Sequence, residues 1–334
     1  MNLHVALKYL VALADHRHFG RAALACHVTQ PALSNALRSL EDSFGTAIVK
    51  RGRNFAGFTV EGERILVSAR RILREHELLQ QDLRSSADSP KGHLLFGVVP
   101  TAMPIAARFA ALLRARYPGI TPIVRTMSSI ELETGLESLA LDIGMGYSER
   151  MEAKPSLLRV VPQYTEHYFL LRRAAHVGAG LRIGPPMTWA EAAELPLCLL
   201  SAEMHNRTVV DRAFAVAGAQ PAPAIESNAI IMLGLSVVVG DVCSIMPGAL
   251  VSTLQGYGGL EALPLVSPQV EVPIGFIVHN TNRQSRTLEA ALAFARAPDW
   301  LQHAAQHSGL LGRDPLSTDS QNELDRPPSI ADTR

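Results

Sequence analysis

Apolar residues recur at helical spacing from the start of the chain. Leu3, Leu7, Leu10, Val11 and Ala14 share one side of a helix predicted over residues 3–14. The stretch Phe19 to Phe44 then predicts two short helices joined by a tight turn. Ala22, Ala23 and Leu24 belong to the first helix, and Cys26, His27 and Val28 make the turn. Thr29 is a capping-type residue, and Pro31 falls in the first turn of the second helix, where a missing N–H costs least. In that second helix Leu33, Leu37 and Leu40, spaced four and three, face inward. Gln30, Ser34, Asn35 and Arg38 face the other way. A strip of amides and hydroxyls with one cation suits a helix laid in the major groove of double-stranded DNA, where such groups hydrogen-bond base edges.

Any small helical hairpin can carry that pattern, so the flanking sequence decides its weight. The first helix supplies enough apolar surface to cover a two-helix unit. After Phe44-Gly45, residues 47–49 predict a short strand, and Lys50, Arg51, Gly52 and Arg53 follow as a cationic glycine turn. This is what a wing touching phosphate or the minor groove requires. The DNA-contact candidates are therefore Thr29, Gln30, Pro31, Ser34, Asn35 and Arg38 on the helix and Lys50, Arg51 and Arg53 on the wing.

From Thr59 to about Ala87 the pattern predicts one long helix. Its stripe is Ile65, Ala69, Ile72, His76, Leu79 and Leu83, with Leu66 and Leu73 beside it. Arg64, Arg70, Arg71, Arg74, Glu75, Gln81 and Arg84 are expected on the opposite, solvated side. A stripe this long exceeds what so small a domain can cover, so a partner helix from a second subunit is expected to cover it. Residues 85–92 form a polar break with Pro and Gly, a hinge. From His93 onward, short apolar runs alternate with helical ones, which predicts an α/β domain with mainly parallel sheet. The candidate strands run from Leu94–Val99 to Val272–Val278, with Leu157–Val161 and Tyr168–Arg172 as separate members; candidate helices include 129–140, 229–239 and 285–297. The strand near 165–172 is expected to carry the chain into a second lobe, and Val272–Val278 to bring it back. From about Gln306 the sequence lacks apolar periodicity, which predicts a disordered tail.

Composition adds the distribution of charge. The 334 residues carry 31 cationic and 31 anionic side chains, yet residues 1–60 hold seven cations against three carboxylates. A net +4 head on a −4 remainder fits a DNA reader attached to something else. Cys26, Cys198 and Cys243 are scattered, with no metal-ligand spacing, and are expected to be reduced and mostly buried. No cofactor is expected. No signal peptide opens the chain, and no run reaches the ~18 apolar residues of a membrane span. A cytoplasmic protein without membrane contact is expected.

The run AALACHVTQPALSNALRSLEDSFGTAIVKRGRNFAGFTVEGERIL resembles the amino-terminal signature of the LysR-type transcriptional regulators. The matching elements are the AA pair before the turn, V-T-Q-P-A-L-S, R-x-L-E, the basic wing and T-x-E-G-E. Asn35 departs from the arginine, lysine or glutamine common there, which bears on operator bases and not on fold. HLLFGVVPT, LALDIGMG and IIMLGLSVVVGDVCSIMP are similar to that family's effector domain, a two-lobed fold like the periplasmic binding proteins; Asp241 stands where the family is commonly apolar. The resemblance implies a winged helix-turn-helix (1–58), a linker and dimerisation helix (59–88), and an effector domain (89–305) followed by a tail (306–334). Within the effector domain it implies lobe I at 93–162 and 268–305 and lobe II at 163–267. It also implies a homodimer or homotetramer, with RNA polymerase as a further partner.

Ligands of open α/β sheets bind beyond the carboxyl ends of strands, at helix amino termini. Thr101, Ser128, Ser129, Ser201, His205 and Asn228 occupy such places, and the resemblance implies effector contacts at Thr101 and the Ser128–Ser129 loop. Hydroxyls and free N–H groups at positive helix ends suit a small anion, to which His205 and Arg207 could add charge. Taken singly, Ser128 with Glu131, Thr188 with Glu191, and Asn228 also read as plain helix caps. The leading reading is a regulator whose DNA binding responds to a small metabolite between the lobes. A small-acid enzyme with a regulatory head is disfavoured by the absence of nucleophile-elbow, P-loop, dinucleotide or metal motifs. A purely architectural DNA binder leaves over two hundred residues unused.

Overall fold

The computed structural model describes residues 2–50, 55–85, 89–151, 157–280 and 285–308. Helices α1 (Leu3–His16), α2 (Phe19–Ala25) and α3 (Gln30–Phe44) open the chain, followed by the long α4 (Val60–Arg84). Each start is locally specified. Asn2 caps α1, the His18 ring accepts from Gly20 and Arg21 N–H at the start of α2, and the Thr29 hydroxyl accepts from Ala32 N–H at 3.3 Å. His27 takes a left-handed φ of 55° in the turn, and Gly45 at φ 66° ends α3. Leu7, Leu10 and Leu13 pack with Ala22, Ala23, Leu33, Leu37, Leu40 and Ile48 into one core. Leu66 and Ala69 of α4 belong to the same core, so the first turns of the long helix are part of the head.

The expected sides of α4 are only partly observed. Ile72, Leu79 and Leu83 of the stripe are exposed, and His76 is exposed with its ring 4.4 Å from that of His4. Arg74, expected in solvent, is instead among the most buried residues of the helix. The physical reason is a partner far off in sequence, Asp142, which no local period reveals. The disordered tail expected from about Gln306 lies, from residue 309 on, outside the described residues. Gln306 and His307, assigned to it, are the last turn of a helix.

Beyond Gly92 the elements are β1 (Gly92–Val98), α5 (Met103–Arg116), β2 (Ile120–Thr126), α6 (Ser129–Glu137), β3 (Ile143–Tyr147) and β4 (Leu158–Arg173). Next come β5 (Arg182–Ile183), β6 (Met187–Thr188), α7 (Trp189–Ala193), β7 (Leu197–Leu200), α8 (His205–Val216), β8 (Ile225–Ser227), α9 (Ile230–Val239) and β9 (Cys243–Pro247). The last are α10 (Gly248–Val251), β10 (Leu260–Val266), β11 (Glu271–His279), α11 (Arg286–Ala295) and α12 (Pro298–His307). The two candidate strands 157–161 and 168–172 are one continuous strand, because Pro162 falls within β4 without breaking its extended backbone. Helix α6 stops at Glu137, short of Ala140, because Leu139 turns left-handed at φ 58°.

The chain divides into two units, Met1–Tyr164 with Pro273–Leu301, and Thr165–Val272 with residues from Gln302. In the first, β1 is parallel to both β2 and β3, and antiparallel β11 lies between β3 and β4. Phe96, Phe109, Phe276, Phe294 and Trp300 form an aromatic core, with Phe109 and Phe276 ring centroids 4.4 Å apart. In the second, β7 is parallel to β8 and β9, and β9 and β10 flank β4 in antiparallel pairing. The helix α9, apolar nearly all round in sequence, buries Leu233 and Val237 against this sheet.

Candidate nucleic-acid interface and effector site

The recognition helix α3 presents Thr29, Gln30, Pro31, Asn35 and Arg38 to solvent, with Ser34 half-buried, while Leu33, Leu37 and Leu40 hold its back to the core. The polar strip is thus free to meet an external surface. The wing root is a single antiparallel bridge, Val49 with Phe58, reinforced by Lys50 N–H donating to Gly57 O at 3.0 Å. Lys50 is exposed; Arg51 and Arg53 lie outside the described residues.

One group that fixes this interface went unnoticed in the sequence. The Glu41 carboxylate accepts from Ile48 N–H at 2.7 Å and Val49 N–H at 3.0 Å, tying the recognition helix to the wing. Its signal was the glutamate of R-x-L-E, three residues beyond Arg38. Across the wing, the Thr59 hydroxyl donates to Ala47 O at 2.6 Å and accepts from Gly62 N–H at 2.9 Å. Gly62 follows from the same crowding: a Cβ there would lie 2.1 Å from Ile48 O.

Helix α4 connects this head to the first unit's sheet. Near its middle Arg70 pairs with Asp15 of α1 at 2.7 Å. One turn on, the buried Arg74 guanidinium grips the buried Asp142 carboxylate through Nε, at 3.1 Å from Oδ1, and through a second, closer nitrogen contact. Asp142 also accepts from Leu95 N–H at 2.7 Å, and Arg74 reaches Glu77 at 2.7 Å. All the charges of this buried cluster are hydrogen-bonded, as burial demands.

Parallel register gathers the first unit's candidate effector residues. Val98 of β1 pairs with Thr126 of β2 and Met145 of β3, so the carboxyl ends of all three strands share one edge. Thr101 is buried there, its hydroxyl 2.9 Å from the Tyr147 hydroxyl. Ser128 forms a full capping box with Glu131, and Ser129 behind it is buried. Arg150 and Glu133 pair at 2.6 Å nearby in sequence. Tyr147, the last residue of β3, and Ser148, which opens the 3-10 turn after it, were missed; among the described residues Ser148 Oγ is buried without a hydrogen-bond partner. The strand-end argument points to helix starts and so overlooks a polar group on the last residues of a strand.

In the second unit, Ser201 and Asn228 follow the paired strands β7 and β8, whose Leu200 and Ser227 are in register. Ser201 N–H donates to Ser227 O at 3.0 Å, and its hydroxyl donates to Glu203 at 2.7 Å. That bond, with the residue's own N–H, holds the Glu203 carboxyl below its ordinary pKa. Asn228 is not the helix cap. Ala229 occupies that position without a side-chain bond, because one more residue stays extended, and the Ser227 hydroxyl takes up Ala229 N–H at 3.1 Å. His205 begins α8 and does not lie in the preceding loop. Arg207 cannot supply charge freely: Asp211 at 2.7 Å, Glu226 at 2.5 Å and Leu200 O at 2.8 Å engage it. Asp241, the residue out of place by resemblance, is exposed in the turn before β9.

Of the three thiols, Cys198 is buried, whereas Cys26 and Cys243 are only half-buried. In the parallel β7–β9 register Leu197 faces Cys243 and Cys198 faces Ser244, so Cys198 and Cys243 point to opposite faces of the sheet. Burial raises the pKa of Cys26, Cys198 and Cys243 alike. Among the described residues no group of three or more His, Cys, Asp or Glu could hold a metal, and no helix is long and apolar enough to cross a membrane.

Two family models match the chain: the bacterial regulatory helix-turn-helix protein, LysR family, over residues 4–63, and the LysR substrate binding domain over residues 87–298. The DNA-binding transcriptional dual regulator OxyR of Escherichia coli K12 is 28% identical over 276 residues, 81% of this chain and 87% of that protein. A hydrogen peroxide-inducible genes activator of Pectobacterium carotovorum is 36% identical over 137 residues, 41% of this chain and 45% of that protein. Among solved structures, a full-length OxyR variant from Pseudomonas aeruginosa has a TM-score of 0.65 at 22% identity, covering 88% of this chain and 97% of that one. CbnR complexed with its target DNA has a TM-score of 0.62 at 21% identity, covering 90% and 99%.

Proposed function

The chain belongs to the LysR family of bacterial helix-turn-helix regulators, and from that membership we propose how it reads DNA and what it senses. It is a DNA-binding transcriptional regulator with an effector-binding domain. Gln30, Ser34 and Asn35 read base edges; Thr29, Pro31 and Arg38 set the helix in the groove; Lys50, with Arg51 and Arg53, holds the backbone. Two or four chains pair through the exposed Ile72, Leu79 and Leu83 of α4, which places recognition helices on successive turns of a palindrome. RNA polymerase is the further partner at the promoter, and the protein works in the cytoplasm without catalysis or cofactor.

The effector is a small organic anion held first by Thr101, Tyr147 and the Ser128–Ser129 helix start, with Ser201, His205 and Asn228 as the second unit's candidates. A peroxide response, as the names of its relatives suggest, is disfavoured here. Its thiols are raised in pKa by burial, and the two on neighbouring strands face apart. The effector acts by favouring one arrangement of the protein, a coupling of about 1–3 kcal/mol.

The observation that carries the reading is the exposed polar strip on a helix whose opposite side is fully buried. Gel shifts test it. Gln30→Ala is expected to lower affinity for the chain's own operator about tenfold while sparing unrelated duplex, whereas Lys50→Ala weakens both. Retention of full operator preference by Gln30→Ala would overturn the assignment.

A further inference from the structure

We propose a second small-molecule site, for an amphipathic anion, in the pocket between α1, α4 and the sheet edge of the first unit. The pocket has a volume of about 420 Å³ and is lined from three directions. Lys8, Arg70, Arg74 and Arg125 line it against two carboxylates, Asp15 of α1 and Glu77 of α4, and Val11, Leu73, Leu95 and Leu139 supply its apolar side. None of the residues assigned to the effector or to DNA lines it.

Three observations point to an anion with an apolar body. First, Lys8 and Arg125 converge on the pocket from different elements, and neither has a carboxylate or hydrogen-bond partner among the described residues. The other guanidinium groups at this place are engaged: Arg70 by Asp15 and Arg74 by Asp142 and Glu77. Both are exposed, so water screens their mutual repulsion, but both remain available to an anion that enters the cavity. Second, Arg70 gives one terminal nitrogen to Asp15 but leaves its buried Nε–H without an acceptor. Orphaned buried donors are rare in folded proteins, and the Arg70 side chain that carries this one lines the pocket. Third, Leu73, Leu95, Val11 and Leu139 make an apolar wall. Leu139 lines it from a left-handed backbone, φ 58°, just beyond the end of α6.

The ligand class is therefore a single acidic head, carboxylate, sulfonate or phosphate, on a ring or short alkyl body. Occupancy would clamp α1 of the DNA-binding head to the first unit's sheet. It would set the angle of the recognition helix without touching the effector residues.

Isothermal titration of the full chain with 2-naphthalenesulfonate tests this. We expect saturable binding to the natural sequence, weakened about tenfold or more by Lys8→Ala combined with Arg125→Ala. Both side chains are exposed, and an unchanged circular dichroism spectrum would verify the fold; the single Arg125→Gln change is the fallback and should weaken binding in the same direction. Thr101→Val should leave this affinity within about twofold, which separates the site from the effector site. Three results would each overturn the proposal: no saturable binding, unchanged affinity in the charge variants, or loss of binding in Thr101→Val.

Discussion

The two halves of α4 are attached by different forces. Its amino-terminal half is packed: Gly62 lies against the Ile48 carbonyl, and Leu66 and Ala69 close the helix-turn-helix core. Its carboxyl-terminal half is held by charge, with Arg74 buried on Asp142, while Ile72, Leu79 and Leu83 stay exposed. One helix thus fixes the DNA-reading head by apolar contact and the effector sheet by an ion pair. Packing has a single good geometry and resists sliding. A buried pair is strong only while both partners are present, which suits a joint that must be specific but need not be rigid.

The largest test strikes the charged half. Asp142→Ala leaves the buried Arg74 guanidinium with Glu77 as its carboxylate and the His93 carbonyl at 3.5 Å, and also strips Leu95 N–H of its acceptor. A loss of about 3–5 kcal/mol is expected in urea denaturation of the full chain. Changing both partners, Arg74→Met with Asp142→Leu, should restore most of that loss, since an apolar pair of similar volume carries no desolvation cost. Should the double change prove as damaging as the single one, the joint is held by shape and the contrast between the two halves fails.

How far each half could be read from sequence follows from the same contrast. The packed half was legible because its contacts obey a local period: Leu33, Leu37 and Leu40 in α3 stand four and three apart, and Ile65 and Ala69 open the α4 stripe four apart, although its next expected member, Ile72, is exposed. The recognition strip of Gln30, Ser34, Asn35 and Arg38 was legible for that reason too, being the complement of the buried face. Arg74 was misplaced on the solvated side, since its partner lies 68 residues on and nothing periodic connects them. Glu41 escaped as well, because its task is to hold backbone N–H groups of the wing, which a sequence does not display. At the candidate effector edge, Thr101 and Ser128 could be placed by the strand-end rule. Tyr147 needed the parallel register of β1 and β3 to bring its hydroxyl to Thr101.

A smaller effect is expected from the packed half. Gly62→Ala puts a methyl 2.1 Å from Ile48 O, a backbone atom that cannot rotate away. The helix start or the wing root must shift, at about 1–3 kcal/mol. Because Ile48 and Val49 are also the groups held by Glu41, the wing should move with it. Affinity for all duplexes should then fall, with operator preference kept. Gel shifts with operator and unrelated DNA at one salt concentration distinguish this from Gln30→Ala, and a selective loss of operator binding would show that Gly62 serves the recognition helix itself.

The smallest effect belongs away from α4 and supplies the scale for both halves. In the second unit the Thr188 hydroxyl and N–H donate to Glu191 at 2.7 and 2.8 Å, and these bonds lower the carboxyl's pKa from its ordinary 4.5. A folded-state pKa below the unfolded value means that the unfolded chain binds the proton more readily. The cap's contribution is therefore complete above the unfolded pKa and is lost as pH falls through the folded one, beginning below about pH 5. Glu191→Gln retains a capping amide but cannot titrate. The difference in urea midpoint between natural chain and variant should be constant at neutral pH and shrink on acidification. A difference that grows on acidification would mean that Glu191 is better tolerated protonated, and the exposed cap could no longer serve as the reference for the buried pair at Arg74.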